Sequence, residues 1–152
     1  MVVLAVIKEF SCQTVKRKYT AGKLEVNTKM KIYDEGIFLS HLELEIAKSK
    51  RFGYPFSLLV IKAVNPQSHT IALLNSILTA NYRSTDLLAQ LDNNTYVVLL
   101  NGTDEENAQK YLSRLIRKAV SENEIPIVAA ITGFEEEDTK NKIMERLMEK
   151  MK

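Results

Sequence analysis

The segment from Phe56 to Val64 is the part of the sequence that most constrains the fold. It is apolar throughout, apart from Ser57 and Lys62. A strand with one face in water alternates apolar and polar residues, whereas a strand covered on both faces has a near-continuous apolar run. The sequence therefore predicts a strand here that is buried on both faces.

An amphipathic helix is predicted before this strand, over residues 34–52. Asp34 is a favoured N-cap residue, because its carboxylate can accept hydrogen bonds from the free N–H groups of the first turn. Phe38, Leu42 and Ile46 recur at helical spacing. These three residues define the face that the helix buries.

A two-strand hairpin is predicted later in the chain. The segments 87–91 and 96–100 are both apolar, and the sequence Asp92-Asn93-Asn94 between them has the composition of a turn. Asparagine and aspartate are common in turns because they tolerate positive φ better than most residues. Strands joined by so short a turn are antiparallel.

The helix after the hairpin has the clearest local signal. Thr103 and Glu106 form a capping-box pair, and apolar residues then recur on one face as far as about Ser121. Lys110 and Arg114 lie off this apolar stripe. We therefore expect both cations to face solvent.

The order of the predicted elements indicates an α+β fold. From residue 34 they are a helix, a strand, a helix, a hairpin, a helix, a strand and a helix. Their ranges are 34–52, 56–64, 66–83, 87–91 with 96–100, 103–121, 127–131 and 137–152. The part from Phe56 to Ile131 has the order βαββαβ. This is the order of the ferredoxin-like plait, an antiparallel sheet with helices on one face.

Two further strands are predicted before residue 33. Residues 2–10 alternate weakly, and residues 24–32 alternate between apolar and polar with a period of two, which is typical of a half-buried strand. The sequence therefore predicts a β-hairpin extension over residues 1–32 and a core over residues 33–152. With 152 residues in all, we expect the two parts to form a single domain.

The composition argues against several classes of function. The 21 basic and 19 acidic residues give a net charge of +2, which disfavours a nucleic-acid-binding module. One cysteine and two histidines leave little material for a metal centre. The five glycines never form a glycine-rich loop, which excludes the common phosphate-binding loops. No apolar stretch approaches ~18 residues, so we expect no membrane insertion and a cytoplasmic location.

The segment from Arg83 to Asp104 resembles the GGDEF, or diguanylate cyclase, family of bacterial signal-transduction domains. In that family an RxxD motif, here Arg83 and Asp86, precedes a strand, a five-residue turn, an apolar strand and a capped helix. Residues 42–61 are similar to the family's first helix and central strand, and residues 127–134 to its later strand. The resemblance covers roughly residues 30–152 and implies the same plait fold.

The five turn positions depart from the family pattern. They are occupied by Asp92, Asn93, Asn94, Thr95 and Tyr96. Both glycines of the family turn are therefore missing, and its third position, a catalytic carboxylate in active members, is an amide here.

Lys62 stands where the family has a metal-binding aspartate at the end of its central strand. A lysine there would repel Mg²⁺, and phosphoryl transfer without the metal loses its charge relief. The resemblance thus implies a degenerate, catalytically inactive domain that is not an enzyme and holds no metal or cofactor. A residual enzyme would have to use Asp86 and Asp92, which lack an acidic partner on the central strand.

The family's inhibitory site is matched residue for residue. In active relatives RxxD and an arginine on the following helix bind the product, cyclic di-GMP, and Arg83, Asp86 and Arg114 stand at these positions. Arginine can pair with phosphate or a guanine edge, and aspartate can accept from guanine N–H groups. The resemblance implies a cyclic di-GMP receptor. The alternative is that Arg83 and Asp86 form an ordinary ion pair and Arg114 is a solvated helix residue.

A different hypothesis is a ligand-free protein–protein interaction or dimerisation module. Residues 1–33 carry seven basic and two acidic side chains, whereas residues 121–152 carry five basic and eight acidic ones. Met144, Met148 and Met151 lie close together in the predicted terminal helix. Flexible methionines of this kind suit either a core or a partner surface, so a protein partner or self-association is expected.

Overall fold

The computed structural model describes residues 32–152 of the chain. The elements of this part are α1 (Glu35–Phe52), β1 (Phe56–Ala63), α2 (Ser68–Ala80), β2 (Leu87–Asp92), β3 (Thr95–Asn101), α3 (Glu105–Ile116), β4 (Ile127–Gly133) and α4 (Lys140–Glu149), with a π-helical segment, Arg117–Glu122, that continues α3. None of these helices is long and apolar enough to cross a lipid bilayer. The hairpin predicted over residues 1–32 lies, apart from Ile32, outside the described residues. The division of the chain into an extension and a core stays a prediction.

The four strands form one antiparallel sheet in the order β2-β3-β1-β4. Phe56 of β1 lies opposite Asn101 of β3, and Ser57 lies opposite Gly133 of β4. β2 and β3 pair as the predicted hairpin. This arrangement confirms the α+β fold and the ferredoxin-like plait.

β1 is buried on both faces, as its apolar run predicts. Each of its residues is buried except Lys62. Leu59 and Ile61 pack into a core shared with α2 and α3, whereas Leu58 and Val60 pack into a second core shared with α1 and α4. Because alternate side chains of a strand point to opposite faces, a helical layer covers each side of the sheet.

The plait from Phe56 to Ile131 is predicted to have its helices on one face of the sheet, and the structure confirms this. The two helices of the plait, α2 and α3, share one face, and α1 and α4 cover the other. α1 and α4 cover the second face because it is also apolar: β3 contributes Val97 and Leu99 to it. Met144, Met148 and Met151 pack against this second core as partly buried residues.

α1 begins and ends where the sequence predicts. The Asp34 carboxylate accepts a hydrogen bond from the N–H of Ile37 at 2.9 Å. At the other end Gly53 adopts a left-handed conformation with φ of 77°, and its N–H donates to the carbonyl of Ser49. Glycine adopts this conformation readily because it has no Cβ.

The other helices differ from prediction at their ends. α2 ends at Ala80 rather than near residue 83, because the chain turns into the RxxD segment. α3 is capped by Asp104, whose carboxylate accepts from the N–H of Asn107 at 2.9 Å, and not by Thr103. α4 begins after its cap residue Thr139 rather than at residue 137. At the start of α3 the adjacent residues Thr103 and Asp104 are both suitable caps, so local sequence alone does not decide between them.

Replacing Gly53 with alanine should lower the free energy of unfolding by about 1 kcal/mol, since an L-residue is strained in the left-handed region. No atom lies within 4 Å of the added Cβ, so collision contributes nothing. Gly36→Ala, inside α1, is the matched control and should be neutral or stabilising by up to about 1 kcal/mol. Urea denaturation measures both variants, and equal destabilisation of the two would contradict this explanation.

Candidate functional site

The RxxD segment forms a tight turn between α2 and β2. The N–H of Asp86 donates to the carbonyl of Arg83 at 3.0 Å. In return the Asp86 carboxylate accepts from the backbone N–H of Arg83 at 3.2 Å, and from its Nε and Nη2 at 3.3 Å each. The side-chain contact is a two-point pairing of guanidinium and carboxylate, which fixes both distance and orientation.

The end of β3 holds this pair in place. Asp86 Oδ1 accepts from the N–H of Asn101 at 3.1 Å. Arg83 Nη2 donates to the Asn101 carbonyl at 3.0 Å and to the Thr103 hydroxyl at 2.6 Å. The Asp86 side chain is 1% exposed and the Arg83 side chain is 59% exposed. Both oxygens of the buried carboxylate therefore accept hydrogen bonds, and the guanidinium that they hold extends toward solvent.

A cavity of about 340 Å³ opens beside Arg83, and we call it the cation cavity. Its lining includes three cationic side chains and no carboxylate; the lining residues are Asn81, Arg83, Gly102, Thr103, Asn107, Lys110, Tyr111 and Arg114. Within the part of the chain that the structure describes, Lys110 and Arg114 form no ion pair. A concave surface of one sign of charge attracts an anion.

Tyr111 forms part of the wall of the cation cavity. The guanidinium carbon of Arg114 lies 5.7 Å from the centroid of its ring, within cation–π range. Burial raises the pKa of the Tyr111 hydroxyl well above its ordinary value, the charge of Asp86 raises it further, and the two arginines oppose the shift. The hydroxyl is therefore neutral at physiological pH, and none of residues 32–152 forms a hydrogen bond with it.

The structure brings the three predicted ligand residues together. Arg83 and Arg114 both line the cation cavity, and Asp86 anchors Arg83 from below the surface. The expected role of Asp86 as an acceptor for guanine N–H groups does not fit this geometry. Its side chain is buried, and its oxygens already accept from Arg83 and Asn101.

Lys110 and Asn107 also line the cavity, although the sequence did not single them out as site residues. The signal was present in their spacing. Asn107, Lys110 and Arg114 are separated by three and four positions, so they share one face of α3. A search for polar residues in register with Arg114 would have found both.

The turn that resembles the family's active-site turn lies at the other end of β1. Asn94 binds the end of this strand: its Nδ2 donates to the Ala63 carbonyl at 2.9 Å, and its carbonyl accepts from the N–H of Ala63 at 3.0 Å. Lys62 lies opposite Thr95 in the sheet. The structure therefore brings Lys62 and the turn together, and places both away from the cation cavity.

The turn closes without the backbone conformation that the sequence suggested. Among the described residues positive φ occurs outside glycine at Asn65 and Glu124, and at no residue of the turn. Instead, the Asp92 carboxylate accepts from the N–H of Asn94 at 3.0 Å. Tyr96, the last of the five positions compared with the family turn, lies in β3 and is buried, and burial raises the pKa of its hydroxyl to about 12.

Potential metal ligands are scattered in the described part of the chain. Residues 32–152 contain no group of three or more histidine, cysteine, aspartate or glutamate side chains that could hold a metal ion.

No protein-family model and no curated protein matches the sequence. Solved structures do match it. A DGC protein from Thermotoga maritima has 17% sequence identity and a TM-score of 0.71, over 82% of this chain and 98% of that one. The active GGEEF domain of a diguanylate cyclase from Vibrio cholerae has 12% identity and a TM-score of 0.72, over 80% and 89% of the two chains. The chain has a GGDEF-like fold.

A third solved structure with this fold contains a ligand. The GGDEF domain of DgcB from Caulobacter crescentus, in complex with c-di-GMP, has 11% identity to this chain and a TM-score of 0.71. The match covers 78% of this chain and 80% of that one. The resemblance to GGDEF domains that the sequence suggested is thus confirmed for the fold.

The prediction that the chain is not an enzyme is wrong. The GGDEF-like fold is shared with diguanylate cyclases, one of them described as active. The prediction relied on the identity of single residues such as Lys62 and Asn94. Residue identity at these positions does not by itself show inactivity.

Asp92 should titrate below its ordinary pKa of 3.8, chiefly because the N–H of Asn94 stabilises the carboxylate. Hydrogen bonds from Thr95 and the charge of Lys62 lower the pKa further, whereas burial raises it. A lowered folded-state pKa means that ionised Asp92 stabilises the fold above pH 3.8. This contribution is lost as the pH falls through the lower folded-state value.

Lys62→Met should raise the Asp92 pKa only in part, since the Asn94 N–H remains. Carboxyl-carbon NMR across a pH titration measures the pKa. Lys118→Met removes a lysine on another element and should leave the titration unchanged. Titration of Asp92 at or above 3.8 in the unmodified protein would refute this account of the turn.

Proposed function

We propose that this chain is a GGDEF-like signalling domain that binds cyclic di-GMP in the cation cavity. The observation that carries the proposal is the charge of the cavity, which has three cations, Arg83, Lys110 and Arg114, and no carboxylate in its lining. Cyclic di-GMP carries two phosphodiester charges and the hydrogen-bonding edges of two guanines. Its phosphates match cationic donors, and its bases match the polar side chains between them. The cytoplasmic location of the domain stays a prediction.

Arg114 supplies the phosphate contact in this proposal. None of the described residues forms a hydrogen bond or ion pair with its guanidinium, so all its N–H donors are available to a ligand. A guanidinium presents paired N–H groups that match two phosphate oxygens. Lys110, one turn earlier on α3, adds a second positive charge on the same helix face.

Arg83 supplies a guanidinium whose orientation is already set. Its Nε and Nη2 are bound to Asp86, Asn101 and Thr103, which leaves the Nη1 donors and the plane of the group for a ligand. Binding to such a side chain costs less ordering entropy than binding to a free one. Asp86 acts here as the anchor of Arg83 and does not contact the ligand.

The complex of the DgcB GGDEF domain with c-di-GMP supports the choice of ligand. That fact belongs to the DgcB domain, and at 11% identity its likeness to this chain concerns the fold. The cation cavity is the feature of this chain's own residues that favours the same ligand.

A protein–protein interaction or dimerisation module is the second candidate, and an exposed aromatic pair favours it. Phe52 and Tyr54 are both more than half exposed, and their rings stack at 6.0 Å between α1 and β1. The Arg51 guanidinium lies 5.3 Å from the Phe52 ring. Aromatic residues and arginine are enriched in protein interfaces. The two functions are compatible, since a receptor must pass its signal to another molecule.

Arg114→Ala should weaken cyclic di-GMP binding by about tenfold to a hundredfold, because a charge-assisted hydrogen bond contributes ~1.5–3 kcal/mol. Isothermal titration calorimetry of the full chain with cyclic di-GMP measures the dissociation constant. Arg83→Ala should have an effect of similar size, since it removes the second guanidinium of the cavity.

Arg117→Ala is the matched control for Arg114→Ala. Arg117 is an exposed arginine three positions later, and it does not line the cation cavity. Its replacement should leave the dissociation constant unchanged. The proposed function fails if the unmodified protein releases no heat at tens of micromolar cyclic di-GMP, or if both alanine variants in the cavity bind as the unmodified protein does.

A further inference from the structure

Thr103 connects the central strand of the sheet to the cation cavity. It lies between β3 and α3 and is 8% exposed. Its backbone carbonyl accepts a 2.8 Å hydrogen bond from the hydroxyl of Ser57, which is buried in β1. Its own hydroxyl accepts the 2.6 Å bond from Arg83 Nη2. Thr103 therefore binds β1 through its backbone carbonyl and a cation of the cavity through its hydroxyl.

The orientation of the Thr103 hydroxyl is determined by its neighbours. The hydroxyl donates to the Asn101 carbonyl at 3.1 Å, so its lone pairs are left to accept from Arg83. Arg83 Nη2 also donates to the Asn101 carbonyl. One edge of the guanidinium is therefore held by a short segment at the end of β3, and the Nη1 edge is left for the cavity.

The helix does not need the Thr103 hydroxyl. Asp104 caps α3 through the N–H of Asn107, and Ser57 binds the backbone of Thr103 rather than its side chain. Removal of the hydroxyl alone therefore leaves the helix cap and the contact with β1 in place. Its remaining bonds go to Arg83 and to the Asn101 carbonyl.

We propose that Thr103 is a positioning residue for ligand binding in the cation cavity, because it sets the direction of the Arg83 guanidinium. The choice of ligand rests on the proposed function. Without the hydroxyl, Arg83 keeps its bonds to Asp86 and to the Asn101 carbonyl but loses its shortest contact, and a side chain that is 59% exposed has solvent to move into. In that variant ligand binding must also order the Arg83 side chain, and it loses the conformational entropy of that side chain. In the unmodified protein this loss is small, because Thr103 already holds the side chain.

Three variants test the proposal. Thr103→Val replaces the hydroxyl with a methyl group of similar size, and Thr103→Ser keeps the hydroxyl. Thr132→Val is the matched control, because the buried Thr132 hydroxyl accepts a 2.7 Å bond from Arg146 Nε on the other side of the sheet. The control thus removes the same kind of bond between threonine and arginine at a distance from the cavity.

The first measurement uses the protein without ligand. The Nη2–H signal of Arg83, the group that the Thr103 hydroxyl binds, is recorded in a ¹H–¹⁵N spectrum at low temperature, where guanidinium rotation is slow, and is assigned by its loss in Arg83→Lys. We expect Thr103→Val to shift this signal and to speed its exchange with water, while Thr103→Ser and Thr132→Val leave it as in the unmodified protein. An unchanged Arg83 signal in Thr103→Val overturns the proposal, whatever the domain binds.

The second measurement is calorimetry with cyclic di-GMP. Thr103→Val should bind about tenfold more weakly, whereas Thr103→Ser and Thr132→Val should stay within about twofold of the unmodified protein. Unchanged binding by Thr103→Val overturns the proposal even if the Arg83 signal moves. Absence of binding by the unmodified protein counts against the proposed function, and the ligand-free spectrum then still decides whether Thr103 orients Arg83.

Discussion

Burial of β1 on both faces is the constraint on which the rest of the structure depends. A strand with apolar side chains on both sides requires a helical layer against each, so α2 and α3 pack on one face and α1 and α4 on the other. The two polar residues of the strand, Ser57 and Lys62, then mark its two ends. Ser57 binds Thr103 beside the cation cavity, and Lys62 lies beside the turn that follows β2.

Much of the fold could be predicted because its signals are local or periodic. The apolar run of β1, the cap at Asp34 and the short turn after β2 each depend on neighbouring residues, and the structure contains all three. The cap of α3 could not be predicted in the same way. Thr103 and Asp104 are both good cap residues. In the structure Asp104 caps the helix, and the Thr103 hydroxyl is bound instead to Arg83, which lies 20 positions away in sequence.

The sequence predicted that Arg83, Asp86 and Arg114 belong to the candidate site, but it did not predict the role of each residue. The RxxD spacing places Arg83 near Asp86, and the helical face places Arg114, yet nothing in the sequence shows that Asp86 is buried. Asp86 is an anchor rather than a ligand contact, because its buried carboxylate accepts from the N–H of Asn101 at the end of β3 and from Arg83. The same limit applies to catalysis. Single residue types at the turn led to a prediction of inactivity, whereas a solved structure with the same fold is described as the active domain of a diguanylate cyclase.

The most direct test of the central claim, that the cation cavity is the ligand site, is an NMR titration of the ¹⁵N-labelled protein with cyclic di-GMP. The account predicts saturable shifts of the backbone signals of Gly102 and Tyr111 and of the Arg114 side chain, all in the cavity lining. The signals of the turn at Asn93 and Asn94 should stay in place. Absence of shifts, or shifts confined to that turn, would contradict the account.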